Sequence, residues 1–117
     1  MRFLSIYKTI GRDTPPSAEE MAAMGRLIQE GMTKGWLVST EGCLSSALGA
    51  RVRRSDGQMT VTDGPFAESK EVVGGFAILN ASSKQEAIEL AKYFLSHAEQ
   101  GECELRQLYE APATATL

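Results

Sequence analysis

The stretch "ARVRRSDGQMTVT", residues 50–62, decides how the rest of the chain is read. Asp56-Gly57 stands between two alternating segments. That is a strong signal for a hairpin with a two-residue turn, because such turns need residues that tolerate positive φ. With those two residues in the loop, Ser55 faces Gln58, Arg54 faces Met59, Arg53 faces Thr60, Val52 faces Val61 and Arg51 faces Thr62. Arg51, Arg53, Thr60 and Thr62 then share one face, and Val52 and Val61 the other. The register sets Arg51 beside the approach to Asp63. A self-contained hairpin in mid-chain leaves a β-α-β unit on each side of it.

Before the hairpin, residues 2–8 ("RFLSIYK") alternate Phe3, Ser5 and Tyr7 against Leu4 and Ile6, the period of a strand. Two prolines close the following loop. Ser17 with Glu20 three residues on is a capping box, the start of a helix. Met21, Met24, Ile28 and Met32 recur at helical spacing with Leu27 beside them, which reads as a core-facing stripe with methionine as filler. Gly35 stands at the C-cap position. Residues 36–44 read as a second strand.

Beyond the hairpin, residues 72–80 ("VVGGFAILN") form an apolar strand whose glycines predict a bulge or a close backbone approach. A second helix lies within residues 81–101. Its cap is either Ser83 with Glu86 or Ser82 with Gln85, and Ile88, Ala91 and Leu95 form its apolar stripe. Residues 103–111 are a last alternating strand, and residues 112–117 read as a frayed tail after a single domain at 1–111. Two helices with one apolar stripe each lie on one face of a four-stranded antiparallel sheet. This is the ferredoxin-like βαββαβ class of α+β fold, with an inserted hairpin. No third helix remains for the other face, so a second copy is its simplest cover, giving a two-fold dimer packed sheet on sheet.

Composition narrows the function. The 117 residues carry a formal charge of −3, with no excess of Lys and Arg to neutralise phosphates, which argues against a nucleic-acid partner. No apolar run reaches the length of a membrane span, and the N-terminus has no basic region followed by a long apolar block, so a cytoplasmic setting is expected. Cys43 and Cys103 have no C-x-x-C spacing and read as small buried residues. With a single His, His97, a zinc or iron site is not expected. The acidic side chains Glu41, Asp63, Glu68 and Glu71 offer oxygen ligands in principle, but neither a metal nor another cofactor is predicted. His97, near the end of the second helix, reads as a capping or exposed residue.

The stretch "VTDGPFAESKEVVGGF", residues 61–76, closely resembles the signature of the DGPF group within the YCII-related family of small bacterial proteins. The stretches "EGCLSSALGARVR", "SSKQEAIELAK" and "GECELRQLYE" are similar to the same group, so the resemblance spans nearly the whole chain. It implies a ferredoxin-like protomer in a dimeric α+β barrel. It implies little about activity. Some relatives are encoded beside extracytoplasmic-function sigma factors, which points toward regulation or stress metabolism. The wider family also implies an acid-base pair of an Asp and a His near the start of the first helix; here that start, "PPSAEEM", has no His.

Asp63-Gly64-Pro65 carries two readings. Asp accepts hydrogen bonds from backbone groups two or three residues on, Gly permits unusual dihedrals and Pro restricts the next φ, so the segment reads as a rigid turn stapled by Asp63, with Arg51 a candidate partner. In the other reading the same rigidity holds Asp63 at a pocket mouth as a general acid or base, with Lys70 or Arg51 stabilising negative charge. Phe66 is either a core anchor or the pocket's apolar wall. Glu68 and Lys70, spaced by two, point to one side beside Asp63, or belong to a solvated loop. Glu41 reads as a half-buried strand carboxylate that needs Arg51 or Arg53 as partner. Two functions follow. One is a homodimer binding a small organic molecule between the sheet and the DGPF loop through Asp63, Glu41, Arg51, Phe66, Glu68 and Lys70. The other is a non-catalytic binding or regulatory dimer in which the motif rigidifies the loop.

Overall fold

The computed structural model describes residues 1–10, 15–66, 71–98 and 100–110. Six strands and two helices follow in the order β1 (Arg2–Ile10), α1 (Ala18–Lys34), β2 (Leu37–Gly42), β3 (Ala50–Ser55), β4 (Gln58–Asp63), β5 (Glu71–Asn80), α2 (Lys84–Leu95) and β6 (Glu102–Gln107), with a short 3-10 helix at Ser46–Leu48. Four strands form an antiparallel sheet in the order β2-β5-β1-β6, while β3 and β4 make a separate two-stranded ribbon. This is the ferredoxin-like order with a hairpin inserted between its second and third strands.

Both helix starts carry caps written in the sequence. The Ser17 hydroxyl accepts the Glu20 N–H at 3.1 Å, and Ser83 does the same for Glu86. The structure thus chooses Ser83 over Ser82 as the second cap. The Glu86 carboxylate reaches one residue further back than in a standard capping box, taking the Ser82 N–H and hydroxyl at 3.2 and 2.7 Å. Those bonds hold the Glu86 carboxyl below the usual carboxylate range. Helix α1 ends on Gly35 at φ 84°, a left-handed cap.

The helices cover one sheet face. Phe3, Leu37, Leu79, Ala81 and Ala87 form its centre, joined by Ile28, Trp36, Ala77, Leu90 and Leu105, and the Tyr7 ring meets Phe94 edge-on at 5.1 Å. Phe3, only 2% exposed, is the largest side chain fully enclosed. The α1 stripe is narrower than its methionines predict. Leu27 and Gly31 are buried, whereas Met21 and Met32 are exposed. Gly31 is the reason: it lets Trp36 and Leu37 pack directly against the helix backbone, so the helix turns that side to the sheet. Tyr93 Oη donates to Glu30 Oε2 at 2.8 Å and ties α2 to α1, while Lys34 holds Glu30 Oε1 at 3.0 Å.

The predicted glycine irregularity in β5 is present. Tyr7 pairs with Gly75 but Lys8 with Val73, so Gly74 is the extra residue of a bulge. A Cβ on Gly74 would lie 2.9 Å from the Tyr7 ring, and one on Gly75 2.6 Å from the Glu41 carbonyl oxygen. Only glycine allows these approaches. A second bulge in β2, between Leu37 and Ser39, turns Ser39 and Glu41 to the sheet face away from the helices.

That second face has a regular layout. At one level Glu41, Phe76, Ile6 and Glu104 lie side by side across the four strands; at the next come Ser39, Ile78, Leu4 and Arg106. Leu4, Ile6 and Ile78 are half-buried, and Val73 and Phe76 are exposed. Both helices lie on the opposite side.

Candidate functional site

The hairpin leaves the sheet at the end of β2, where the Cys43 N–H still bonds to the Gly74 carbonyl at 2.9 Å. Ser45 caps the 3-10 helix through the Ala47 N–H, and the Gly49 N–H closes it onto Ser46 O at 2.9 Å. The ribbon pairs in the predicted register, with Val52 opposite Val61 and Arg51 opposite Thr62. Asp56 and Gly57, at φ 51° and 77°, both take the left-handed conformation such a turn requires.

The DGPF segment now has a physical account. The Gly64 N–H bonds to Gly49 O at 2.9 Å, and a Cβ on Gly64 would fall on the carbonyl oxygen of Ser46. Glycine is required there because the chain leaving β4 lies against the 3-10 helix. The Gly64-Pro65 peptide is cis. Phe66 is half-buried, and the Arg51 guanidinium stands over its ring at 3.9 Å from the centroid, a cation–π stack that joins β3 to the residues after β4.

Several expectations are corrected here. Asp63 is exposed on the ribbon face that holds Val52 and Val61, and among the described residues its carboxylate takes no hydrogen bond, so it does not staple the turn. Backbone packing at Gly64 supplies that rigidity instead. Arg51 sits on the opposite ribbon face and stacks on Phe66 rather than pairing with Asp63. Phe66 belongs to this stack and not to the core. Glu41 is exposed, not half-buried, and no described Arg pairs with it; an edge strand leaves its carboxylate in water. Cys43 is exposed, because the chain has left the sheet by then, while Cys103 is half-buried and burial raises its thiol pKa. Glu68 and Lys70 lie outside the described residues. The structure therefore brings Arg51 and Phe66 together, sets Asp63 on the ribbon's other face, and places Glu41 at the sheet edge.

Sequence reasoning missed one charged group. On the open sheet face the Glu104 carboxylate takes Lys8 Nζ on one oxygen and Arg106 Nε on the other, each at 2.9 Å. Lys8 first and Arg106 second hold the Glu104 carboxyl below the usual carboxylate range. Alternation in β6 puts Glu104 and Arg106 on one face, but only the β1–β6 pairing brings Lys8 to them. His97 caps the end of α2, its Nδ1 2.8 Å from the Tyr93 carbonyl. No group of acidic, His and Cys side chains suited to a metal occurs among the described residues. Nor is any described helix long and apolar enough to cross a membrane.

Taken together, the strand order, the helices on one face and the inserted ribbon define a ferredoxin-like α+β protomer. The model of the YCII-related domain matches residues 1–111, and the chain belongs to that family. Among solved structures it is similar to 5-chloro-2-hydroxyhydroquinone dehydrochlorinase (TftG) of Burkholderia phenoliruptrix AC1100, seen in complex with 2,5-dihydroxybenzoquinone. The TM-score is 0.52 at 17% identity, over 95% of this chain and 96% of that one. Among curated proteins, the uncharacterized protein R00369 of Rhizobium meliloti (strain 1021) is 44% identical over 43 residues, 37% of this chain and 35% of that protein. The match thus spans about a third of that relative's own length.

Proposed function

We propose that the protein is a cytoplasmic homodimer of the DGPF group, packed open sheet face on open sheet face, that binds a small organic molecule beside the base of the hairpin. The observation that carries this reading is the apolar centre of the sheet face that no described helix covers: Leu4, Ile6, Val73, Phe76 and Ile78, bordered by Glu41 on one edge and the Lys8–Glu104–Arg106 group on the other. An antiparallel sheet tolerates water on one side when that side is polar; an apolar centre with a charged border is an interaction surface.

Arg51 on Phe66 offers a flat cationic plate suited to an anionic or electron-rich ring, and Asp63 is a carboxylate with no hydrogen-bond partner among the described residues. In an enzyme Asp63 is the acid-base group, Arg51 or Lys70 stabilises negative charge, and Glu41, Phe66 and Glu68 line the cleft. Support for a small-molecule role also comes from the dehydrochlorinase of the same fold, which holds 2,5-dihydroxybenzoquinone. The second reading, a non-catalytic binding or regulatory dimer, is favoured by the fit of Gly64 against Ser46, which explains the motif without a ligand. Asp63→Asn tests the choice through thermal unfolding, light scattering and titration with 2,5-dihydroxybenzoquinone as probe. The expected variant stays dimeric, within about 0.5 kcal/mol of wild type, since Asp63 is an exposed residue without a network, and binds the probe more weakly. A stability loss above about 2 kcal/mol would make Asp63 structural, and unchanged probe affinity would remove it from the site.

A further inference from the structure

We infer that the polar face of the β3–β4 ribbon binds the phosphoryl group of a small phosphate monoester, an inference that names the ligand class of the small-molecule reading above and rests on it. The observed register puts Arg51, Arg53 and Ser55 on one side of the ribbon, with Thr62, Thr60 and Gln58 opposite them. All six are exposed, all six side chains can donate hydrogen bonds, and none is acidic. They carry +2, so from a total of −3 the rest of the chain carries −5. The ribbon's other face, with Arg54 and Asp63, has no net charge.

A ribbon that needed only cross-strand support would set Glu or Asp opposite its arginines, since opposite charges across a strand pair attract. Here a Thr stands opposite each of Arg51 and Arg53. The two arginines leave the strand as same-face neighbours about 7 Å apart, each with its Thr about 5 Å across the ribbon. Among the described residues Arg53, Thr60 and Thr62 make no side-chain hydrogen bond or ion pair. Two guanidiniums and two hydroxyls suit a phosphoryl group, whose three terminal oxygens accept several hydrogen bonds at once, better than a planar carboxylate. The arrangement is held before any ligand arrives. Arg51 stands 3.9 Å above the Phe66 ring, and Gly64 against Ser46 braces the ribbon's base, so little ordering is lost on binding. Half-buried Phe66 offers apolar surface for the ester's organic part. Two cations match one dianionic group, whereas a polyanion would meet the negative charge of the remaining chain.

Isothermal titration calorimetry of the full chain with phenyl phosphate at low ionic strength tests this, with benzoate and 2,5-dihydroxybenzoquinone as comparison probes. Phenyl phosphate is expected to bind at least about tenfold more tightly than benzoate, and Arg53→Gln to weaken it at least about tenfold. Arg54→Gln makes the same charge change on the other ribbon face and should leave the affinity nearly unchanged. Thermal unfolding should be unmoved by either variant, because both residues are exposed. Equal losses from the two variants would reduce the effect to net charge and overturn the site. Benzoate binding as tightly as phenyl phosphate would overturn the phosphoryl class. Binding of the quinone without phenyl phosphate would overturn this inference alone and leave the small-molecule reading standing, and binding of neither probe would overturn both.

Discussion

Gly31 offers a sharp test because two principles give opposite signs for its replacement. It lies inside α1, where Gly→Ala should gain about 1 kcal/mol through helix propensity. The structure, however, packs Gly31 against β2: a Cβ there would lie 2.8 Å from Leu37 Cβ and 2.9 Å from two atoms of the Trp36 ring. Leu37 Cβ is fixed to the backbone of a buried strand residue, and the Trp36 ring packs against the core and meets Tyr93 edge-on. Neither can yield as a flexible side-chain tip can. Overpacking of this kind costs about 1–3 kcal/mol. Gly25, in the same helix, has no atom within 4 Å of its would-be Cβ, so Gly25→Ala shows the propensity gain by itself. Gly25→Ala should therefore stabilise by about 0.5–1 kcal/mol, and Gly31→Ala should be neutral to about 2 kcal/mol destabilising. The gap between the two variants isolates packing and should be about 1–3 kcal/mol, or roughly 4 °C or more in Tm for a domain of this size. Urea denaturation at one fixed protein concentration measures it, which keeps any dimerisation constant. Equal stabilisation by the two substitutions would refute the placement of Gly31 against Trp36 and Leu37.

Two further outcomes follow from the titrating groups. Glu104 has its carboxyl pKa lowered by Lys8 and Arg106, so its contribution to stability is present above the ordinary carboxylate pKa and is lost as pH falls through the lower folded value; Glu104→Gln should flatten the acid limb of a stability–pH curve and leave its neutral-to-alkaline part parallel to wild type. Cys43 is exposed while Cys103 is half-buried with its thiol pKa raised by burial, so alkylation of the native protein at neutral pH, read by peptide mass spectrometry, should label Cys43 well before Cys103. Equal rates would contradict the burial of β6's inner side.

Local signals carried much of this architecture. Ser17 and Ser83 begin helices because a hydroxyl three residues before a Glu N–H is a local fact, independent of what packs nearby. Asp56-Gly57 turns the ribbon in the predicted register for the same reason, and the alternation of Phe3 and Ser5 against Leu4 and Ile6 sorts the two sheet faces. Tertiary structure alone decided who touches whom. It turned Met21 and Met32 outward by packing Gly31 on Trp36, gave Arg51 to Phe66 instead of Asp63, and left Glu41 in water on an edge strand. It also assembled Lys8, Glu104 and Arg106 from the two ends of the chain. Caps, turns and alternation depend on a few consecutive residues; partners depend on strand order and close approach, which arise only when distant segments pack together.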